Sequence, residues 1–279
     1  MQRFLVATDL SPRSEHALSR AFQLAEGREG AEIIVAHVID EDLPHAIAQE
    51  TLRQARTEIA TQLKARGSSV PAEVEIVLGH APRDIPRMAE ERGADLLILG
   101  LHRPRPIADL FRDTTMERIV RAIRIPVLLA KLSEDRPWQT ILAPTDFSPA
   151  SANAIQTAAA LAPEAEITAF HAFSIPFKGL VGGADAKGAL KSFLADATAE
   201  RDAWIARNAL PDRCAPPELV EGGLGTVLAD RVHRLHPDLV AIGAHARATA
   251  ADWIIGSLAA EMMRAPPADL LIGRPDRAG

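Results

Sequence analysis

The chain alternates short, nearly unbroken apolar runs with longer stretches in which apolar positions return every three or four residues. That rhythm predicts buried strands and amphipathic helices in strict alternation. Residues 3–8 are almost continuously apolar, as expected for a strand covered on both faces. Ser11 then suits an N-cap and Pro12 the first helical position, so a helix is predicted from there to about Gly27. The same signals predict strands at 31–38, 73–78, 95–101 and 126–130. Between them fall helices at 41–66, closed by Gly67, at 83–92, interrupted early by Pro86 and ended by Gly93, and at 114–123.

The second half retraces this path. Predicted strands and helices alternate through 140–143, 149–161, 166–172, 186–208, 218–221, 226–236, 239–243, 257–264 and 269–272. The letters repeat as well as the rhythm. FLVATDLSP at Phe4 to Pro12 returns as ILAPTDFSP at Ile141 to Pro149, AEIIVAH at Ala31 to His37 as AEITAFH at Ala165 to His171, and ADLLILGLH at Ala94 to His102 as PDLVAIGAH at Pro237 to His245. Three matches in one order make the chain a tandem duplication. Alternating strands and helices require right-handed crossovers and parallel pairing. The predicted fold class is therefore α/β: two tandem five-stranded parallel-sheet α/β sandwiches forming a pseudo-two-fold pair. Their domains are expected at 1–131 and 138–279, joined by the polar, Pro-ended stretch 132–137.

Composition narrows the function classes. A length of 279 residues fits two domains, and a net charge of −6 without a basic face argues against a dedicated nucleic-acid binder. The single cysteine, Cys214, excludes an internal disulfide scaffold or a cysteine-based zinc site. Apolar runs of about seven residues at most fall far short of the roughly 20 that a membrane helix needs. Met1 to Thr8 leads directly into a strand with no secretory signal pattern, so a cytoplasmic location is expected. His233 and His236 share a helix face, yet no carboxylate or cysteine completes a ligand set, so no protein-bound metal is expected. GxxxxGK[ST], G-x-S-x-G and SGGxDS loops are absent, and no catalytic residue is assigned.

Three features carry a family resemblance: an Asp just after the first strand, a His-Val-like step ending the second, and a glycine signature after the fourth. Together they resemble the universal stress protein family in its tandem form, across essentially the whole chain. The family signature is G-x2-G-x9-G-[ST]. The second half reads Gly243, Ala244, His245, Ala246, then nine residues to Gly256 and Ser257, with Ala246 replacing the middle glycine. The first half reads Gly100, Leu101, His102, Arg103, then nine residues to Asp113 and Thr114.

The resemblance implies an adenine nucleotide alpha hydrolase-like fold and a site for ATP, ADP or AMP, with any Mg held mainly by the phosphates. By the same resemblance Pro144, Thr145 and Asp146 contact the adenosine part and Ala172 lines the adenine slot. Gly243, Ala246, Gly256, Ser257 and Leu258 form the phosphate side, with His245 and Arg247 as further phosphate contacts. If position 246 needs a left-handed backbone, the methyl of Ala246 costs roughly 1–2 kcal/mol. Asp113 weighs more: a carboxylate about 5 Å from a phosphate repels it by roughly 3 kcal/mol at an effective dielectric of about 20. The second half is thus the expected nucleotide domain. The first is expected to be degenerate as a triphosphate site, although Arg103, Arg105 and Arg112 are near in sequence.

Each candidate also has a local reading. Asp9 and Asp146 sit two residues before a Ser-Pro helix start and would organise a turn there. Thr114 and Glu117 spell a capping box, and Gly256 with Ser257 a turn and cap. His37 and His171 suit packed core positions. The glycine-rich stretch 173–188 reads as a surface loop, or as a lid or partner-binding loop. Two functions follow: a non-catalytic stress-response sensor that binds an adenine nucleotide, or a nucleotide-independent interaction module. In the second, the last strands 127–130 and 270–272 pair within the chain and an unknown protein partner is recruited. A homodimer is compatible with either.

Overall fold

The structure is a computed structural model and describes residues 1–101, 114–131, 136–174, 184–244 and 257–275. By contacts the chain divides into two compact units, Met1–Pro137 with Arg247–Leu271 and Trp138–Ala246 with Ile272–Gly279. The first repeat runs β1 (Arg3–Ala7), α1 (Pro12–Ala25), β2 (Glu32–Asp40), α2 (His45–Arg66), β3 (Ala72–Gly79), α3 (Ala81–Glu91), β4 (Leu96–Gly100), α4 (Thr115–Ala122) and β5 (Val127–Ala130). The second runs β6 (Thr140–Pro144), α5 (Pro149–Leu161), β7 (Glu166–Phe173), α6 (Ala184–Arg207), β8 (Glu218–Glu221), α7 (Leu224–Leu235), β9 (Leu239–Gly243), α8 (Ser257–Arg264) and β10 (Asp269–Gly273). α8 and the start of β10 close the second repeat in sequence but pack with the first unit.

In the first unit the strand order is β3-β2-β1-β4-β5, followed by β10; in the second it is β9-β6-β7-β8. The ladders β1–β2, β1–β4, β2–β3 and β4–β5 are parallel, as are β6–β7, β6–β9 and β7–β8. Chain order therefore reverses between β1 and β4, and again between β6 and β9. Burial explains why the central strands read as unbroken apolar runs. Phe4, Leu5 and Val6 of β1, Leu96 to Ile98 of β4 and Ile141 to Ala143 of β6 are all inaccessible to solvent.

Element ends differ from the sequence pattern where local bonds intervene. The second helix starts at His45 and not at 41, because Asp40 to Leu43 forms a turn: the Asp42 N–H donates to Asp40 Oδ1 and the Leu43 N–H to the Asp40 carbonyl. α3 runs through Pro86 without ending, at the expense of one intrahelical bond, and begins two residues earlier than predicted with Pro82 in its first turn. The last part of the glycine-rich stretch is helical, because α6 begins at Ala184. Gly179, Gly182 and Gly183 lie outside the described residues, as do positions 132–135 of the linker. Gly67 ends α2 in a left-handed conformation, φ 61°.

Two glycines are fixed by packing. A Cβ on Gly100, at the end of β4, would lie 2.6 Å from the Arg13 carbonyl oxygen. One on Gly243, at the end of β9, would lie 2.5 Å from the Ser151 backbone nitrogen. In each repeat the first turn of the helix after the first strand rests directly on the fourth strand, and only hydrogen fits between.

The first unit also holds a buried ion pair. Arg20 of α1 meets Asp269 of β10, Nε to Oδ2 at 3.0 Å, with side chains 2% and 0% exposed. Arg20 Nη1 donates to Gln23 Oε1 at 2.8 Å and to the Arg136 carbonyl at 2.9 Å. Asp269 Oδ1 accepts the Lys131 N–H at 2.8 Å. Removing one member would strand a buried charge, which costs about 3–5 kcal/mol, whereas replacing both by apolar residues costs far less. Arg20→Ala is therefore expected to lower the urea midpoint strongly, and Arg20→Met combined with Asp269→Leu to recover most of the loss. Equal loss in the single and double variants would contradict this account.

Candidate functional site

The site begins with a turn built twice from one set of letters, Thr-Asp-x-Ser-Pro-x-Ser. In the first repeat Thr8 Oγ1 is 2.8 Å from Ser14 Oγ and accepts the Leu10 N–H at 3.0 Å. Asp9 Oδ1 accepts the Ser11 N–H at 3.0 Å, and Ser11 caps α1 by accepting the Ser14 N–H. Ser14 Oγ donates to the Ser11 carbonyl at 2.8 Å. In the second repeat Thr145, Asp146, Phe147, Ser148 and Ser151 reproduce each of these bonds at 2.8 to 3.2 Å. The x residue must turn into left-handed space, with φ 63° at Leu10 and 60° at Phe147. For a residue with a Cβ that costs roughly 1–2 kcal/mol, which the hydrogen bonds of the turn offset.

The turn lifts one carboxylate per repeat to the carboxyl end of the sheet, where strand order reverses. Asp9 and Asp146 are both exposed, so each organises its turn and still presents carboxylate to solvent. Desolvation pushes the Asp9 carboxyl up, but hydrogen bonds from the Ser11 side chain and backbone, with Ser14, outweigh it and hold the group below the ordinary carboxylate range. His37 and His171 follow the same logic: each ring Nδ1 lies 2.8 Å from the carbonyl of the turn threonine, Thr8 or Thr145. His37 is buried, as expected for a core position, and also faces the crevice; His171 is half-buried.

In the first repeat this end of the sheet opens into a cavity of about 270 Å³. Its floor carries Thr8, Asp9, Ser11, Ser14 and His37, and its walls Val38, Gly100, Leu101, Ile85, Met116 and Ile119. Sequence reasoning missed Ser14 and its twin Ser151, although a serine two residues after the shared proline was visible in both repeats. It also missed the wall residues of α3 and α4, whose letters give only a core-facing stripe.

In the second repeat Asp146 follows directly on β6, and the other described candidates of its unit stand at the carboxyl ends of the neighbouring strands. Pro144 ends β6, buried, and Thr145 is buried beneath the turn; Ala172, half-buried, lies near the end of β7, and Gly243 ends β9. Pro144 has no N–H to give, and the β6–β9 register ends at Leu142↔Val240, whereas β1–β4 continues to Ala7↔Leu99. Phe147 stacks on His171 with centroids 4.3 Å apart and meets Trp204 at 5.6 Å. Trp204 Nε1 donates to the Ser148 carbonyl at 3.0 Å, which ties α6 to the turn. Ser257 is the first residue of α8 and Leu258, half-buried, the second. His245, Ala246, Arg247 and Gly256 lie outside the described residues, as do Arg103, Arg105, Arg112 and Asp113.

Two helix starts beside the first cavity are closed by their own carboxylates. The Thr114–Glu117 capping box is complete: Glu117 Oε2 accepts the Thr114 N–H at 2.9 Å and Thr114 Oγ1 accepts the Glu117 N–H at 3.1 Å. At α3, buried Asp84 accepts the His80 N–H at 2.7 Å and is bracketed by Arg83 and Arg87, at 2.8 and 3.1 Å. The Arg83 guanidinium, with smaller contributions from the His80 N–H and Arg87, outweighs desolvation and pulls the Asp84 carboxyl down to about 2.

A doubly wound parallel sheet with a crevice where strand order reverses is the class of α/β protein that takes ligands beyond the carboxyl ends of its strands. The chain belongs to the universal stress protein family: the model of that family matches it twice, over residues 1–131 and 137–274. It is similar to universal stress protein MJ0577 of Methanocaldococcus jannaschii, 24% identical over 47% of this chain and 94% of that one. A universal stress protein from Archaeoglobus fulgidus superposes with a TM-score of 0.68 at 16% identity, covering 98% of both chains. A functionally unknown protein, PA1789 of Pseudomonas aeruginosa PAO1, gives 0.67 at 20% identity over 99% of this chain and 93% of that one. Among the described residues no helix is long and apolar enough to cross a membrane.

The Asp84 cluster makes a prediction in pH. A carboxylate held below its ordinary value stabilises the fold above that value, and the contribution is lost as pH falls toward about 2. Because both arginines are half exposed, screening leaves about 1–2 kcal/mol. Asp84→Asn should therefore be less stable than wild type in urea at pH 6, and the gap should narrow below pH 3. A gap that is constant across this range would mean the charge does no work there.

Proposed function

We propose that the chain binds an adenine nucleotide, ATP or a relative, in the crevice of its second repeat and acts as a sensor or regulator rather than a catalyst. The observation that carries this reading is the exposed Asp146 carboxylate, held by Ser148 at a strand-order reversal whose edge is left short by Pro144. An Asp in that position can accept hydroxyl hydrogen bonds from a ribose, beside a slot bounded by Thr145 and Ala172. The signature from Gly243 through His245, Ala246 and Arg247 to Gly256, Ser257 and Leu258 would take the phosphates. A helix start offers them N–H groups in a partly positive field. A divalent cation such as Mg would be held mainly by the phosphates. The nucleotide domain in this reading is 138–279, with 1–131 its degenerate twin, and the setting is cytoplasmic. No hydrolytic step is assigned, since no motif in the sequence positions a base or an arginine clamp against a γ-phosphate.

The test is ligand-linked stability. A nucleotide at a hundred times its dissociation constant adds about 2.7 kcal/mol, or several degrees in Tm. ATP at millimolar concentration should raise the Tm of the wild type, and Asp146→Ala should remove the shift without lowering the Tm of the unliganded protein by more than a few degrees. No shift in the wild type would end this reading.

A further inference from the structure

We infer that the outer edge of β3 is an interface between two copies of this chain, which pair antiparallel about a two-fold axis at Ile76. The inference is independent of what either crevice binds.

β3 (Ala72–Gly79) ends the sheet of the first unit on one side: it pairs with β2, and among the described residues no strand covers its other edge. Natural sheets protect such an edge by shortening it, by placing Pro or Lys in it, or by covering it. β8, the corresponding strand of the second repeat, follows that practice with four residues, Glu218–Glu221, and a glutamate at each end. β3 has eight residues and contains no Pro, Lys or Arg. Val74 is 38% and Leu78 50% exposed, so this edge carries apolar side chains into solvent.

Its two carboxylates, Glu73 and Glu75, would ordinarily keep a copy of the strand away. Both are paired with Arg92 at the end of α3, Glu75 at 3.3 Å. Counting these groups alone, Arg92 halves the charge of the strand, and repulsion between two copies falls to about a quarter.

The backbone supplies donors and acceptors in a fixed phase. The Ile33 N–H donates to the Pro71 carbonyl and the Glu41 N–H to the Gly79 carbonyl, so the odd-numbered residues of this stretch face β2. Ala72, Val74, Ile76 and Leu78 therefore turn their N–H and C=O outward. Their side chains share one face of the strand, opposite to Glu73 and Glu75.

Charge and bonding together select one register. Opposite residues of a two-fold antiparallel pair share a face, so the axis falls on a residue. At Glu75 it would set two carboxylates against each other, and at Val74 it would set Glu73 against the partner's Glu75. At Val77 it would match Val74 with the partner's His80, whose N–H is already held by Asp84. At Ile76 these conflicts vanish. Ile76 meets its own copy, Val74 meets the partner's Leu78, and Leu78 meets the partner's Val74, so the exposed apolar side chains cover one another. Glu75 then faces the partner's Val77 and Glu73 the partner's Gly79. The three outward pairs exchange about six backbone hydrogen bonds.

Sedimentation velocity of the full chain from about 5 to 500 µM is the test. A single strand edge is a small interface, so dimerisation is expected with a dissociation constant on the order of 10–100 µM. Leu78→Lys and Val74→Glu alter exposed positions and should each weaken it at least tenfold, with the Tm held within about two degrees. Positions 74 and 78 lie about 13 Å apart along one strand, too far to pair within a chain. Combined, the two substitutions set a carboxylate opposite an ammonium twice about the axis and should restore association to within about threefold of wild type. Amide hydrogen exchange on the wild type needs no variant: the N–H groups of Val74, Ile76 and Leu78 should exchange several-fold more slowly at 500 µM than at 5 µM. The inference is overturned if the wild type stays monomeric at 500 µM, which would leave the edge to the strand of some other protein. It is equally overturned if Leu78→Lys dimerises as wild type does, if the double variant associates no better than the single ones, or if exchange at these amides ignores concentration.

Discussion

A single hydroxyl pair organises each repeat. Thr8 with Ser14, and Thr145 with Ser151, lie at 2.8 Å between the end of the first strand and the first turn of the helix that follows. The threonine also accepts the N–H of the residue two ahead, which turns the chain through left-handed space and raises the intervening aspartate. Its carbonyl meets a histidine of the neighbouring strand. Strand end, helix start, carboxylate and histidine are thus fixed by one small buried polar cluster. Such a cluster is costly when partly satisfied and rigid when complete.

The two repeats diverge around this shared cluster. At the x position the first has Leu10 and the second Phe147, which stacks with His171 and carries Trp204 of α6 onto the turn. At the end of the first strand, Ala7 keeps its ladder with β4 while Pro144 ends it early. At the last helix the first repeat supplies its own carboxylate, Glu117, where the second has Ala260. None of these changes touches the hydroxyl pair. The side chains that differ between the crevices lie outside the pair, which both repeats keep.

Much of this was legible from letters whose meaning is local. Ser11 and Pro12 start a helix wherever they stand before an amphipathic stretch, and Thr114 with Glu117 closes one, because these bonds span three residues. The strands declared themselves by burial on both faces. The cavity walls did not: Ile85, Met116 and Ile119 are separated from Asp9 by most of the repeat, and their spacing says only that one helix face is covered. The Arg20–Asp269 pair was equally silent, since an arginine in a helix and an aspartate opening a strand ordinarily signal solvent. Nor does the order of letters disclose that α8 packs with the first unit, because the duplication implies that each copy keeps its own end.

Gly100 shows how one residue can serve two readings. In a phosphate-loop signature it stands as the first of three glycines, and in the first repeat the other two are Arg103 and Asp113. Its retention follows from the Arg13 carbonyl lying where a Cβ would go, a constraint that holds with no ligand at all. A copy of this domain therefore keeps the opening letter of the motif whatever its crevice binds. Counting signature glycines then measures how closely a helix lies on a sheet before it measures what the crevice holds.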